Sequence, residues 1–265
     1  MKLDEYICSK INYAEIAKIK CFIGDLYSNS HIKTFWNVLE WLEHNISYDI
    51  EKSNSIVVKN SQNLQTPFET IILKKGICLD YSILIMAILL NFGYDNFYLC
   101  TIKSRFKKTE HSVIVLKYDN NFLVLDNKLP LISFEDYISG LTINGNIIED
   151  IGYYLIQNFN QDYSIKKIGC TKELTSIRSS DSKIPINIIE RHLHIYLRKK
   201  GWEPACTENL KNIDERNFLI YYDVSIHNNI ISYICDSISH NKHPGKYILK
   251  LVKIGNFLKV YFIFN

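Results

Sequence analysis

The chain has 265 residues, 47% of them hydrophobic and 22% charged, enough for one large domain or for a catalytic domain beside a smaller one, which excludes wholesale disorder. A net charge of +3 is too small to indicate nucleic-acid binding, and none is expected. Seven cysteines, an odd number with no Cys-x-x-Cys pair, argue against a disulfide framework and a structural zinc site.

Met1-Lys2-Leu3-Asp4-Glu5-Tyr6 lacks the apolar stretch of a signal peptide, and no run approaches the roughly 20 apolar residues of a membrane span. A reducing, cytoplasmic location without membrane contact is therefore expected. From Glu5 to Leu26 apolar residues recur at helical spacing (Ile7, Ile11, Ile16, Ile19, Phe22). A second helix is predicted after Ser28-Asn29-Ser30, with Phe35, Val38, Leu39 and Leu42 on one face. The polar stretch from Glu51 to Thr66 reads as a surface loop, and Pro67 opens a short helix ending at Lys74-Lys75-Gly76.

Gly76-Ile77-Cys78-Leu79-Asp80 then leads into the apolar run Ile83 to Leu90, a buried helix whose first residue is a cysteine. A helix start leaves N–H groups unpaired and carries positive partial charge, which stabilises a thiolate. Strands are predicted at Phe97 to Lys103, His111 to Tyr118 and Phe122 to Asp126, with Asp119-Asn120-Asn121 as a hairpin turn. A basic loop containing Arg105, Lys107 and Lys108 precedes His111. Residues 127 to 165 read as a covering segment with a short helix around Phe134 to Ser139, and Thr171 to Lys183 as a linker. Beyond Pro185 an amphipathic helix bears Ile189, Leu193 and Leu197. Four strand-like runs follow: Phe218 to Ser225, Ile230 to Ser239, Tyr247 to Ile254 and Phe257 to Phe264.

A cysteine nucleophile needs a base and a group to orient that base. His111, beginning a strand, is the candidate base, and Asp126, ending the neighbouring strand, is the candidate orienter. If Asp119-Asn120 is the two-residue turn, Asp126 opposes Val113 and lies diagonally from His111, roughly 7–8 Å away. If Asn120-Asn121 is the turn, Asp126 opposes Val115, about 13 Å along the strand from His111. A three-residue turn would put the two on opposite faces. The catalytic reading requires the first register.

Gly76-x-Cys78-x-Asp80-Tyr81-Ser82, His111 and Asp126 together resemble the transglutaminase-like cysteine-enzyme superfamily, in particular its archaeal and bacterial protease-like members. Trp41 to Asp49 resembles that family's helix-end segment, and Gln65-Thr66-Pro67-Phe68-Glu69-Thr70-Ile71 the stretch before its cysteine. The resemblance covers about residues 31 to 130. Val113, Asn120 and Phe122 depart from the family pattern, since it often has an aromatic two places after the histidine, a glycine in the turn, and a fuller aromatic signature before the aspartate strand.

The resemblance implies an α+β fold: a papain-like transglutaminase core over 1–165, its Cys helix packed on an antiparallel sheet. Residues 166–265 form an accessory helix-plus-antiparallel-sheet domain. It further implies a cofactor-free, metal-free cysteine enzyme acting on a protein or peptide amide through Cys78, His111 and Asp126. Gln65, with Gln62 as runner-up, is the expected side-chain donor to an oxyanion beside the Cys78 N–H. Acyl transfer to an amine, or a binding module that keeps the fold without activity, are the alternatives.

Overall fold

A computed structural model describes residues 3–59, 63–105, 110–143, 147–159, 162–169, 184–205, 214–240 and 243–264. The chain divides into two units, Met1–Ile177 and Arg178–Asn265.

The first unit opens with helices α1 (Leu3–Lys10), α2 (Tyr13–Lys18), α3 (Lys20–Ile23) and α4 (His31–Asn45). Ser30 caps α4 by accepting from the Lys33 N–H, as its position before an amphipathic run predicts. After the short strand β1 (Ser47–Tyr48) come α5 (Ile50–Lys59), α6 (Pro67–Leu73), strand β2 (Lys75–Gly76) and α7 (Cys78–Asn91). Every side chain of α7 from Ile83 to Leu89 is fully buried. That is why its sequence is apolar all round rather than striped.

Strands β3 (Phe97–Ser104), β4 (Glu110–Tyr118), β5 (Asn121–Leu125), β6 (Ile132–Ser133), β7 (Ile148–Phe159) and β8 (Asp162–Gly169) form one sheet in the order β6-β5-β4-β3-β7-β8. All of its neighbours are antiparallel. Helix α7 packs on β4, and α8 (Phe134–Ile143) follows β6 directly. Cys100, Ile102, Val113, Val115, Val124, Phe134 and Tyr153 share one buried cluster, against which Tyr137, Ile138 and Leu141 of α8 pack. Ile114, Leu116, Leu123 and Leu125 point the other way along the same strands and are also buried. The sheet is thus covered on both faces, and period-2 alternation gives way to nearly continuous apolar runs.

The β4–β5 hairpin turns at Asp119-Asn120, Tyr118 pairing with Asn121 and Ile114 with Leu125. Asp119 takes a left-handed φ of 50°, a conformation that Asp tolerates better than most side chains. This is the first of the three registers, with Asp126 one step beyond Leu125 and so opposite Val113.

Three sequence expectations for this unit are corrected. The polar stretch after Asp49 is not a loop throughout: α5 occupies Ile50–Lys59, its start capped by Asp49 Oδ1, which accepts from the Lys52 N–H at 2.9 Å. Its Asn, Ser and Lys content masked an ordinary N-cap. Residues 127 to 165 are not only a covering segment, because all of β7 and the first half of β8 lie there and extend the sheet. Gly152, which reads as loop punctuation, sits inside β7, where a Cβ would come within 2.7 Å of Thr101 Oγ1. A domain boundary at 165/166 would cut β8, whereas the division follows Ile177. The linker reading of Thr171 to Lys183 lies outside the described residues.

The second unit contains α9 (Ile186–Lys199), β9 (Glu203–Pro204), β10 (Asp214–Tyr221), α10 (His227–Ser239), β11 (Lys246–Ile254) and β12 (Phe257–Phe264). The sheet order is β10-β12-β11-β9, antiparallel except for the short parallel β11–β9 pair. Helix α9 buries Ile189, Leu193 and Leu197, as its spacing predicts, and stops before Gly201 at φ 87°. The run from Ile230 to Ser239 is helix, not strand, and Asn228-Asn229 lie in its first turn rather than in a hairpin. Ile230, Ile231, Ile234, Cys235 and Ile238 are the buried residues, a helical stripe that the β-branched composition had disguised.

Candidate active site

Cys78 is the first residue of α7 and is 9% exposed. Two devices hold it there. The parallel β1–β2 pair sets Tyr48 opposite Gly76, with the Asp49 N–H donating to Gly76 O at 2.9 Å. Asp80, fully buried, caps the helix: its Oδ2 accepts from the Ile77 N–H at 2.9 Å and from Lys52 Nζ at 2.5 Å. Its Oδ1 accepts from the Gln65 N–H at 2.9 Å. Asp80 therefore serves the helix start and ties α5 and the segment before α6 to it. Gly76 is required by contact rather than by an unusual φ, because a Cβ there would lie 2.9 Å from Asp80 Cβ. Nearby, Asp49 accepts from the Lys52 N–H and pairs with Lys75 at 3.3 Å. The first of these bonds, with the Lys75 charge, holds the Asp49 carboxyl below its usual range against the opposing effect of burial.

The structure brings Cys78, His111 and Asp126 together. His111 Nε2 lies 3.1 Å from Asp126 Oδ2, and the His111 side chain is also hydrogen-bonded to Cys78. With Nε2 on the carboxylate, Nδ1 is the ring nitrogen left for sulfur. The side chain of His111 keeps 34% of its surface exposed, and that of Asp126 18%, so the imidazole is accessible while its partner is largely sheltered. Burial opposes the imidazolium. The bonds to Asp126 and Cys78, and their negative charges, outweigh it and raise the His111 pKa to about 10. For Asp126 burial likewise opposes the charge, but bonds from His111, Tyr137 and the Asn127 N–H at 2.8 Å keep its pKa below the usual carboxylate value.

Gln65 lies beside the first turn of α7 through its backbone bond to Asp80, and its Oε1 accepts from Thr70 Oγ1 at 3.1 Å. Thr70 Oγ1 also lies 3.1 Å from Thr66 O, so the same hydroxyl ties the Gln65 side chain to the start of α6. Gln62 falls outside the described residues.

Two site residues escape the sequence reading. Tyr137 of α8 donates to Asp126 Oδ2 at 2.6 Å, and its ring stacks near His111, with centroids 6.2 Å apart and planes at 19°. Burial, with the adjacent Asp126 charge, pushes its phenol pKa up. Tyr48, 42% exposed, accepts from the Cys78 backbone N–H and lies 3.5 Å from Ser53 Oγ. A signal for Tyr137 existed in Ser133-Phe134-Glu135-Asp136, a cap at a helix start, where Asp136 N donates to Ser133 Oγ at 3.1 Å. What the cap does not say is which strand end the helix then covers.

A cysteine at a helix start, with a histidine–aspartate pair delivered by adjacent antiparallel strands, on a helix-and-sheet core, defines the papain-like transglutaminase fold. The chain belongs to the family described as transglutaminase-like domain, which it matches over residues 17–154. Among curated proteins it is similar to UPF0252 proteins of Archaeoglobus fulgidus (30% identical, over 52% of this chain and 48% of that one) and Methanocaldococcus jannaschii (33%, over 46% and 37%). The chain matches less than half the length of these relatives. Among solved structures it is similar to calcium-bound LapG of Legionella pneumophila, at 14% identity and a TM-score of 0.38 over 68% of this chain and 99% of that one. Among the described residues no helix is long and apolar enough to cross a membrane.

Proposed function

We propose that this protein hydrolyses amide or peptide bonds of a protein or peptide substrate through Cys78, His111 and Asp126. The observation that carries this reading is the twofold bonding of His111, to Asp126 on one side and Cys78 on the other. In the reaction, Cys78 sulfur attacks the carbonyl carbon while His111 carries the proton drawn from the thiol. The tetrahedral oxyanion is met by the Cys78 N–H, where a substrate oxygen takes the place of the Tyr48 hydroxyl, and by the Gln65 amide. Collapse breaks the C–N bond as His111 protonates the leaving amine. Water, deprotonated by His111, then attacks the thioester, releasing a carboxylate and restoring the thiol. Asp126 keeps Nε2 protonated throughout, so Nδ1 remains the nitrogen that exchanges protons with sulfur and water. Such chemistry suits a reducing compartment, where the thiol persists.

Acyl transfer to an amine shares each step up to the thioester and differs only in the acceptor. A non-catalytic module would keep the fold without a reactive thiol. Iodoacetamide treatment near pH 7, followed by peptide mapping, separates catalysis from the inactive case. Cys78, though buried, is expected to react ahead of the exposed Cys8 and Cys21, and His111→Ala is expected to abolish that preference. Labelling of Cys78 that is slow and indifferent to His111→Ala would overturn the reading. A peptide-library digest with and without added lysine analogue then distinguishes free carboxylate products from amine-linked ones.

A further inference from the structure

We propose that Tyr137 is a positioning residue for this site: its hydroxyl clamps the Asp126 carboxylate and its ring lies nearly parallel to the imidazole on one side. His111 is thereby fixed with one nitrogen on Asp126 and the other toward Cys78. The inference rests on the reading of Cys78 as nucleophile.

The clamp is built by the sheet edge. Strand β6 pairs with β5 through Leu123–Ser133 and Val124–Ile132, so the chain that starts α8 is registered against the strand that leads into Asp126. Ser133 then caps α8, and one turn later Tyr137 stands over the carboxylate. Three donors converge on Asp126: His111 and Tyr137 on Oδ2, the Asn127 N–H on Oδ1. Both oxygens are engaged from different directions, so the carboxylate cannot turn without breaking a bond. The 2.6 Å bond from Tyr137 is shorter than the 3.1 Å contact to His111, and both meet the same oxygen. The phenol therefore shares charge that would otherwise act on the imidazolium alone. The nearly parallel ring, its centroid 6.2 Å from that of the imidazole, fills space beside His111 that water would otherwise take, and water there would screen the pair. The other titratable groups facing this pair are Cys78 and Tyr81 from α7 and Tyr48 from β1. Tyr81 stays a neutral phenol, its pKa raised to about 12 by burial and the Asp126 charge.

The hydroxyl and the ring thus act on His111 in opposite senses, and two variants separate them. Tyr137→Phe keeps the ring and removes the competing donor, so the midpoint of His111 titration is expected to rise. Tyr137→Ala removes both and lets water in, so the midpoint is expected to fall toward 6.5, the ordinary histidine value. Alkylation of Cys78 near pH 7 is expected to drop by on the order of 10- to 100-fold in Tyr137→Ala, part of what a placed acid–base pair supplies. The experiment is histidine-labelled NMR titration of the full chain, His111 being assigned with His111→Ala, together with iodoacetamide kinetics. Tyr137→Phe provides the test by itself if Tyr137→Ala does not fold. A wild-type Cys78 that His111→Ala slows, with a His111 midpoint unmoved in Tyr137→Phe, would overturn the positioning role alone. A Cys78 indifferent to His111→Ala would overturn this inference and the proposed function together.

Discussion

Asp126 meets His111 and Tyr137 through one oxygen and the Asn127 backbone through the other, and this concentration of donors governs how the site responds to pH. His111 has a folded pKa of about 10, above its ordinary 6.5, so its contribution to stability is complete below 6.5 and is lost as pH rises through 10. Asp126 is shifted below 3.8, so its contribution is complete above 3.8 and is lost as pH falls through the lower folded value. Both terms are fully present only between 3.8 and 6.5. The stability difference between wild type and Asp126→Asn is expected to be largest in that window and to narrow toward pH 10, as urea unfolding at a series of pH values will measure. The same residues show where sequence reading stops at this scale. Cys78, His111 and Asp126 are legible because chemistry demands their types together. Tyr137 is one of 18 tyrosines, and nothing local marks it as the one that meets Asp126.

Helix α7 and the β4–β5 hairpin are the elements that make the site. The start of α7 depends on Asp80, which satisfies two backbone N–H groups and neutralises Lys52, whose side chain is 14% exposed. Asp80→Ala would remove the acceptor that those two N–H groups and a largely buried ammonium share. Denaturant unfolding is expected to show a loss of about 3–5 kcal/mol, the usual cost of breaking a buried ion pair from one side. The hairpin sets which face Asp126 occupies. Deleting Asn120 leaves Asp119-Asn121 as the two-residue turn, so Tyr118 pairs with Phe122 and Asp126 comes opposite Ile114, on the face away from His111. The His111 titration is then expected to fall toward 6.5 by NMR, with Cys78 alkylation slowed in parallel. The turn itself was readable from Asp119-Asn120-Asn121, but its register was one of three until Tyr118 was seen to pair with Asn121. Helices α5 and α10 were missed for a related reason: a polar or β-branched composition suggested loop and strand, and the decisive signals were a single cap and a stripe.

At the scale of the whole molecule, the chain comprises two units, and the site lies within the first. Cys78, His111, Asp126, Tyr137, Gln65 and Tyr48 all belong to Met1–Ile177. A fragment of residues 1–177 is therefore expected to fold by itself and to retain preferential alkylation of Cys78, which circular dichroism and peptide mapping will check. Loss of that preference in a folded fragment would overturn the assignment of the whole site to the first unit.

By itself the sequence determined that a cysteine begins a buried helix, that a histidine and an aspartate flank a tight hairpin, and that the chain resembles transglutaminase-like enzymes. These are local patterns: caps, periodicities and turn residues act over a few positions, and a single chain displays them directly. Tertiary structure alone decided that Lys52 reaches Asp80 from 28 positions away, that Tyr137 closes over Asp126, and that the sheet runs on through β7 and β8. Those contacts arise from packing between elements distant in the chain, where any apolar face offers several partners and only the assembled core selects one. The cysteine at the start of α7 could be named as a candidate from sequence, but the environment that would make it reactive is a property of the fold.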